Sequence, residues 1–445
     1  MVRIKPLMGV QQVLLSPDKD TKAILDYLCQ QVGKLYNCGV YFARQALFKT
    51  GKLLTGKFDL IYESTVSKTR LASSLPSIVA QQTLMSVSEA FRSFKELKNK
   101  SKKGELPFKP KPPSYLEGSK VFKVAFPNTG AGKPTLENGK IRFPLGNTVN
   151  RWFGLKFFTL PMPINLEFSK VKEFTILPKN GAFYLELSYL VEQEITDLNI
   201  SEALSIDLGT AENLAACVDT LGNSFLIDSR KLKANNQLWN KRVSTKKEGK
   251  SSDYWDSWLD RVTRKRNHQM RDGINKSAKL IIDHCLKNKI GNLVLGWNDG
   301  FKLNSNMGNL NNQKFVQMPL GKLKDRLKQL CSQYGINFHL TEESYTSKSS
   351  FLDGDSLPIF GEAARSWGSP PGVTAEPRSG QKPDGWKASG RRILRGLYLT
   401  GKEFLINADL NGSANILRKV AGKLKLDLSR LSRRCLTTVT RIRLA

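Results

Sequence analysis

Along the first quarter of the chain, apolar residues recur at three- and four-residue steps. In "IVAQQTLMSVSEAFRSFKEL", Ala80, Leu84, Val87, Phe91 and Phe94 fall on one face, which predicts an amphipathic helix starting just after Pro76. From about 118 to 195 the period changes to that of short strands: "KVFKVAF", "GKIRFPL", "LKFFTLPM", "KEFTILP" and "AFYLELSYLV". Asn138-Gly139 and Asn180-Gly181 are hairpin turns by composition. These strands predict a small β-barrel or curled sheet opened by "VRIKPLMGVQQVLL", with the helical block as an insertion. Beyond 203 strands and helices alternate, through "ALSIDLGTAENLAACVD", "SFLIDS", a long basic helical stretch, "NLVLGW", "PLGKLKDRLKQLCSQYG" and "NFHLTEE" to "NADLNGSANILRKVAG". That order predicts an α/β domain. The tail "KLKLDLSRLSRRCLTTVTRIRLA" is basic and only mildly amphipathic, and is expected to be poorly ordered.

Charge narrows the range of partners. The 445 residues carry a formal net charge of +31, spread along the whole chain, which suits a long polyanion whose counterions are released on binding. No apolar run is long enough to span a bilayer and the N-terminus lacks a signal-peptide core, so a cytosolic protein is expected. Cys29, Cys38, Cys217, Cys285, Cys331 and Cys435 are scattered, as are the three histidines, so packed thiols and no zinc site are expected. In "KNKSKKGELPFKPKPPSYL", Lys98, Lys100, Lys102, Lys103, Lys109 and Lys111 alternate with Pro, Gly and the aromatics Phe108 and Tyr115. The run reads equally as a solvated linker or as a strip contacting a nucleic-acid backbone. Arg261, Arg264, Lys265, Arg266 and Arg271 in "RVTRKRNHQMR" form either a solvated helix face or a polyanion contact, and Trp239, Trp255 and Trp258 nearby read as packing residues.

Two aspartates stand where carboxylates are costly. Asp207 ends the apolar run Leu204-Ser205-Ile206, and Asp409 opens the last helical pattern. Either alone could be a cap or turn residue. Together they suggest hard oxygen ligands for phosphodiester hydrolysis by two divalent ions roughly 3.5–4 Å apart.

The motifs "SIDLGT", "KRNHQMRDGINKSAKLI", "SYTSKSSFLDGD" and "RGLYLTGKEFLINADLNGSANILRK" resemble the TnpB family, transposon-encoded RNA-guided DNA endonucleases related to the type V CRISPR effectors. The resemblance runs over nearly the whole chain and is most specific in "YTS" followed by "NADLNGSANI". It implies an α/β RuvC-like nuclease domain of RNase H fold, with strand order 3-2-1-4-5, and an N-terminal β-barrel wedge domain with a helical recognition insertion. Asp207 and Asp409 match the first and third catalytic carboxylates. The second normally ends the fourth strand, where this chain has Gly296; one branch of the family carries instead a glutamate two residues before the "YTS" tyrosine, here Glu343. Neighbouring strands lie about 4.8 Å apart. Glycine at 296 leaves room for a fifth-strand carboxylate to reach across, and strand alternation should put Glu342 and Glu343 on opposite faces. Glu342 and then Asp299 are the alternatives. The four ribbon cysteines found in many relatives after "YTS" are absent, so no zinc is expected.

The resemblance thus lays out a wedge domain over 1–195 with its helical insertion at about 20–115, and a first nuclease part over 196–345 with a basic bridging helix at about 255–287. A zinc-less ribbon remnant over 346–395 would carry a flexible insertion at about 363–380, followed by the last nuclease part (396–422) and the tail (423–445). It implies Mg²⁺ (or Mn²⁺) as cofactor, a guide RNA from the protein's own locus, double-stranded target DNA, a monomeric ribonucleoprotein and a prokaryotic cytoplasm. The rival readings are a catalytically weak or dead guided DNA-binding protein, an unguided RNase H-like nuclease, and a strand-transferring transposase.

Overall fold

A computed structural model describes residues 7–106, 108–117, 121–194, 196–209, 212–298, 318–358, 387–394 and 396–444. It divides into two compact units, Met1–Val191 and Glu192–Ala445. The insertion expected at 363–380 and the alternative ligand Asp299 lie outside the described residues.

In the first unit, strand β1 (Leu7–Leu14) is followed by helix α1 (Lys19–Thr50), the short turns α2 (Asp59–Tyr62), α3 (Ser64–Ser67) and α4 (Arg70–Ser73), and helix α5 (Ser77–Lys102). Asp18 starts α1 by accepting a hydrogen bond from Thr21 N at 2.7 Å, and Gly51, at φ 71°, ends it in the left-handed region. Helix α5 starts behind Pro76 and buries Ala80, Leu84, Val87, Phe91 and Phe94, the face its periodicity predicts. The remaining elements are β2 (Val124–Pro127), β3 (Thr135–Glu137), β4 (Lys140–Pro144), α6 (Asn147–Phe153), β5 (Phe157–Pro161), β6 (Val171–Lys179) and β7 (Ala182–Val191).

Strand β1 pairs with β7 from Leu7↔Val191 to Leu14↔Tyr184, so the helices are inserted between the first and second strands of one sheet. Both expected hairpins form: Asn138 and Gly139 (φ 49° and 70°) and Asn180 and Gly181 (φ 49° and 62°) supply the two positive-φ positions of a type I′ turn. The described pairings give two open antiparallel sheets, β1-β7-β6-β2 and β3-β4-β5, where a closed barrel was one expectation. An aromatic cluster joins them: Phe143 of β4 lies 5.0 Å from Phe126, 5.0 Å from Phe158 and 5.8 Å from Phe174, centroid to centroid.

In the second unit the strands are β8 (Asn199–Leu208), β9 (Asn213–Asp219), β10 (Ser224–Asp228), β11 (Ile290–Gly296) and β12 (Asn337–Thr341). Helices α7 (Arg230–Lys247) and α8 (Ser257–Lys287) precede β11, and α9 (Leu320–Tyr334) precedes β12. The short strands β13 (Arg391–Leu394), β14 (Leu397–Leu399) and β15 (Leu405–Asn407) form their own sheet before helix α10 (Ala408–Leu424), α11 (Arg433–Thr437) and β16 (Thr440–Ile442). The main sheet has the order β12-β11-β8-β9-β10-β16. Strands β8, β9 and β10 are antiparallel neighbours, whereas β11 and β12 run parallel to β8, which is the expected 3-2-1-4-5 arrangement.

The sixth strand corrects an expectation. The tail is ordered: β16 pairs in parallel with β10, and Leu431, Cys435, Leu436 and Leu444 are buried. Its sparse apolar residues, diluted among arginines, are enough to cover a free sheet edge.

Alternation along β8 sorts its side chains between two cores. Leu204 and Ile206 face the core shared with α8 and α9, while Ala203 faces the core under α10 and Ser205 meets Ser413 of α10. Asp207 therefore emerges on the α10 face. Among the described residues no helix is long and apolar enough to cross a membrane.

Phe143→Ala should lower the stability of the fold by about 3–5 kcal/mol, because it empties a fully buried ring site. Ile164→Ala, at a fully exposed side chain, should leave the denaturant midpoint unchanged. Chemical denaturation of the full chain tests both.

Candidate active site

Helix α10 approaches β8 closely because small residues line the contact. Ser205 Oγ donates to Ser413 O at 2.8 Å and lies 2.7 Å from Ser413 Oγ. A methyl group built on Gly412 would stand 2.5 Å from Oδ2 of Asp207, so this carboxylate occupies space that any side chain at 412 would take. Asp409, one turn earlier, is positioned by the helix start: Asn407 caps it, accepting from Asp409 N and Leu410 N at 3.0 Å each.

The glutamates separate. Strand β12 ends at Thr341, opposite Gly296, so the expected alternation does not extend through residues 342 and 343. Both side chains turn toward α10, at different points. Glu342 is held by Lys419, with Nζ at 3.1 Å, and accepts from Ser344 N at 2.9 Å. Glu343 points toward Gly296, where a methyl group would lie 3.3 Å from its Oε2 and 2.5 Å from Ile416 Cδ1. Asn298 flanks it, donating from Nδ2 to Oε1 at 3.5 Å and accepting from Glu343 N at 3.2 Å.

Asp207, Glu343 and Asp409 stand at a strand end, in a loop and at a helix start, near enough for the charges of the last two to act on the first. Burial, followed by the charges of Glu343 and Asp409, pushes the Asp207 carboxyl well above the usual range, with Arg392 pulling the other way. Burial likewise raises Glu343, against the pull of Lys419. Asp409 accepts from Asn213 Nδ2 and from Arg392 Nη2, both at 2.8 Å. Among the described residues nothing donates a hydrogen bond to the Asp207 carboxylate, and no three carboxylate, histidine or cysteine side chains are already drawn together as a metal cage. The donor chemistry fits a hard divalent cation: clustered carboxylate oxygens, one of them without a donor. Arg392 and Asn213 were not singled out from sequence; an isolated arginine in a basic chain carries no local signal.

Two further asparagines explain why "YTS" and "NADLNGSANI" go together. Asn411 and Asn415, one turn apart on α10 and fully buried, reach the backbone of 346–351. Asn411 donates to Ser349 O at 2.8 Å and accepts from Phe351 N at 3.0 Å; Asn415 donates to Thr346 O and Ser349 O at 2.9 and 2.8 Å. The described ends of the ribbon-like segment are held by carboxylates: Asp355 accepts from Ser350 N and Ser389 N, and Asp353 from Ser389 Oγ and Gly401 N.

The basic candidates do not behave alike. Lys98, Lys100, Lys102 and Lys103 are exposed at the end of α5, and Lys109 and Lys111 in the coil beyond it. On α8, in the other unit, Arg261, Lys265 and Arg271 are exposed and Arg264 is half-buried. Arg266 is packed: it donates to Asn236 Oδ1 at 2.7 Å, and its guanidinium stands 5.3 Å from the Trp239 ring.

Residues 186–299 match the family model OrfB_IS605, described as "Probable transposase". No curated protein matches the chain. Among solved structures it is similar to a Cas12f1–sgRNA–target DNA complex, at 16% identity over 90% of this chain and 83% of that one, with a TM-score of 0.56. A CRISPR-Cas12f ternary complex (18% identity, 90% and 82% covered) and crRNA-bound CasPhi-2 (9%, 97% and 100%) give TM-scores of 0.32 and 0.37, too low to carry an argument. The first likeness shows a mixed α/β fold shared with that Cas12f1 structure, and the family match covers residues 186–299.

Two outcomes are expected. Because the folded-state pKa of Asp207 is raised, its protonated form stabilises the fold below the ordinary carboxylate pKa. That contribution disappears as pH rises through the raised value, leaving the ionised group a net cost at neutral pH. In EDTA, Asp207→Asn should therefore raise the melting temperature at pH 8, by roughly 2–4 °C for each kcal/mol relieved. The difference should shrink toward pH 4; thermal melts across that range test it. Asn411→Ala should cost about 1–3 kcal/mol, since it strands a buried carbonyl and an amide, and denaturant titration reads that loss.

Proposed function

We propose that this chain is an RNA-guided DNA endonuclease of the TnpB type, encoded by a mobile element, with Asp207, Glu343 and Asp409 as the residues that hold its Mg²⁺ (or Mn²⁺). One observation carries the reading: the buried Asp207 carboxylate, in the space that Gly412 leaves, lies within electrostatic reach of Glu343, beside Gly296, and of Asp409. Divalent cations bound there would supply charge neutralisation and an activated water for phosphodiester hydrolysis. The chain's own contribution is placement. Asn213 orients Asp409, Asn298 flanks Glu343, Lys419 draws Glu342 aside, and Arg392 balances the charge of Asp409 in the cation-free protein.

The net charge of +31 and the family match support nucleic-acid partners, and the Cas12f1 structure similar to this chain contains an sgRNA and target DNA. The partners in this proposal are a guide RNA from the protein's own locus and double-stranded DNA, bound by a monomer in a prokaryotic cytoplasm. The unit Glu192–Ala445 is the nuclease, with α8 as the bridging helix. The unit Met1–Val191 is the wedge with its recognition insertion. The lysines from Lys98 to Lys111 and Arg261, Arg264, Lys265 and Arg271 contact phosphates, with Arg266 supporting them from its packed position.

The test is cleavage of guide-matched duplex DNA by protein purified with RNA from its locus. Cutting should require Mg²⁺, fall at least about 100-fold in Asp207→Ala, Glu343→Ala and Asp409→Ala, and stay within about tenfold of wild type in Glu342→Ala. Loss in Glu342→Ala alone would reassign the middle ligand, and purification without RNA would sink the guided reading.

A further inference from the structure

The hairpin between α7 and α8 presents aromatic rings at its tip. Trp239 packs, its Nε1 donating to Thr263 Oγ1 at 3.0 Å. Trp255, expected from sequence to pack as well, is 45% exposed. The tip is ordered by its polar groups. Asp256 caps α8 by accepting from Leu259 N at 2.8 Å and also accepts from the Tyr254 hydroxyl at 2.7 Å. Trp255 Nε1 donates to Asp260 Oδ1 at 2.9 Å, and Lys247 Nζ donates to Ser252 O at 2.9 Å. The polar ends of both rings are thereby tied down within the hairpin, and what remains of them is π surface.

Lysines surround that surface. Lys247 Nζ lies 5.3 Å from the Trp255 ring centroid, Lys250 Nζ 4.0 Å from that of Tyr254, and Lys246 Nζ 5.7 Å from that of Trp258. Lys241 and Arg242, on the adjoining turn of α7, are exposed and make no ion pair among the described residues. The tip also carries carboxylates: Asp256 caps α8 and pairs with Lys246 at 3.5 Å, Asp260 accepts from Trp255, and Glu248 and Asp253 are exposed. Each ring carries an ammonium group over a face while Trp255 keeps exposed surface, which suits an unpaired base stacking on the ring while its flanking phosphates meet the lysines.

We propose that the α7–α8 tip is a stacking site for single-stranded nucleic acid, with Trp255 and Tyr254 as the platform and Lys247, Lys250, Lys241 and Arg242 as the phosphate contacts. The site rests on the reading of the chain as a nucleic-acid-handling protein, but not on cleavage. A duplex cannot use it, because paired bases keep their faces stacked on one another. The net charge of +31 favours a polyanion over a protein partner.

The experiment measures binding of the full chain to single-stranded RNA, single-stranded DNA and duplex DNA of one sequence, by fluorescence anisotropy. Mass spectrometry then maps photocrosslinks from 5-iodouracil-substituted single strands. Trp255→Ala should weaken binding of at least one single strand by about 5- to 100-fold, and Trp255→Phe should restore it to within about threefold. Duplex affinity should be unchanged, crosslinks should fall on Tyr254 or Trp255, and the RNA and DNA arms identify the strand. Equal affinities of wild type and Trp255→Ala for both single strands, or crosslinks only elsewhere, would overturn the stacking site while leaving the nuclease reading intact. A parallel loss on duplex would overturn it too, by making the effect one of charge or folding. A wild-type protein that binds no nucleic acid at all would overturn both.

Discussion

The close approach of α10 to β8 is the contact that organises the second unit. It requires a hydroxyl pair, Ser205 and Ser413, where larger side chains would hold the helix away, and it requires no side chain at 412. From that one contact follow the depth of Asp207 in the fold and the reach of Asn411 and Asn415 to the 346–351 backbone. It also sets the position of Ile416 against Gly296. Each of these is a buried polar or steric condition, so relaxing any one leaves unsatisfied groups or overlapping atoms in the others.

A cation-rich chain has thus assembled a small anionic centre and kept most of its positive charge away from it. Arg392 is the exception, paired with Asp409. The neighbouring Lys419 is engaged by Glu342 and the Ser344 carbonyl. The two adjacent glutamates therefore have different environments: one paired with a lysine, the other buried beside Gly296. Their division of labour is electrostatic as much as geometric.

Much of the framework was legible in the residues. The face of α5, both Asn-Gly hairpins, the alternation of strands and helices after 203 and the two aspartates at a strand end and a helix start all follow from local pattern. Other features were not. Alternation failed for Glu342 and Glu343 because β12 stops at Thr341. The tail looked too polar to order, yet a free edge beside β10 gives it a partner. Trp255 looked like packing because aromatic character alone does not reveal what, if anything, lies against the ring.

Local pattern was enough to set the elements, the excess of positive charge and which carboxylates stand at element ends. These depend on residues a few positions apart, whose periodicity and capping act over short range. Long-range packing alone turned Glu343 toward Gly296 and Glu342 to Lys419, brought Arg392 and Asn213 to Asp409, and set the Asp207 carboxylate in the space at Gly412. The contact between Asn213 and Asp409 spans 196 positions. At such separations no local pattern specifies a partner; a buried charge must find whatever the folded chain brings within reach.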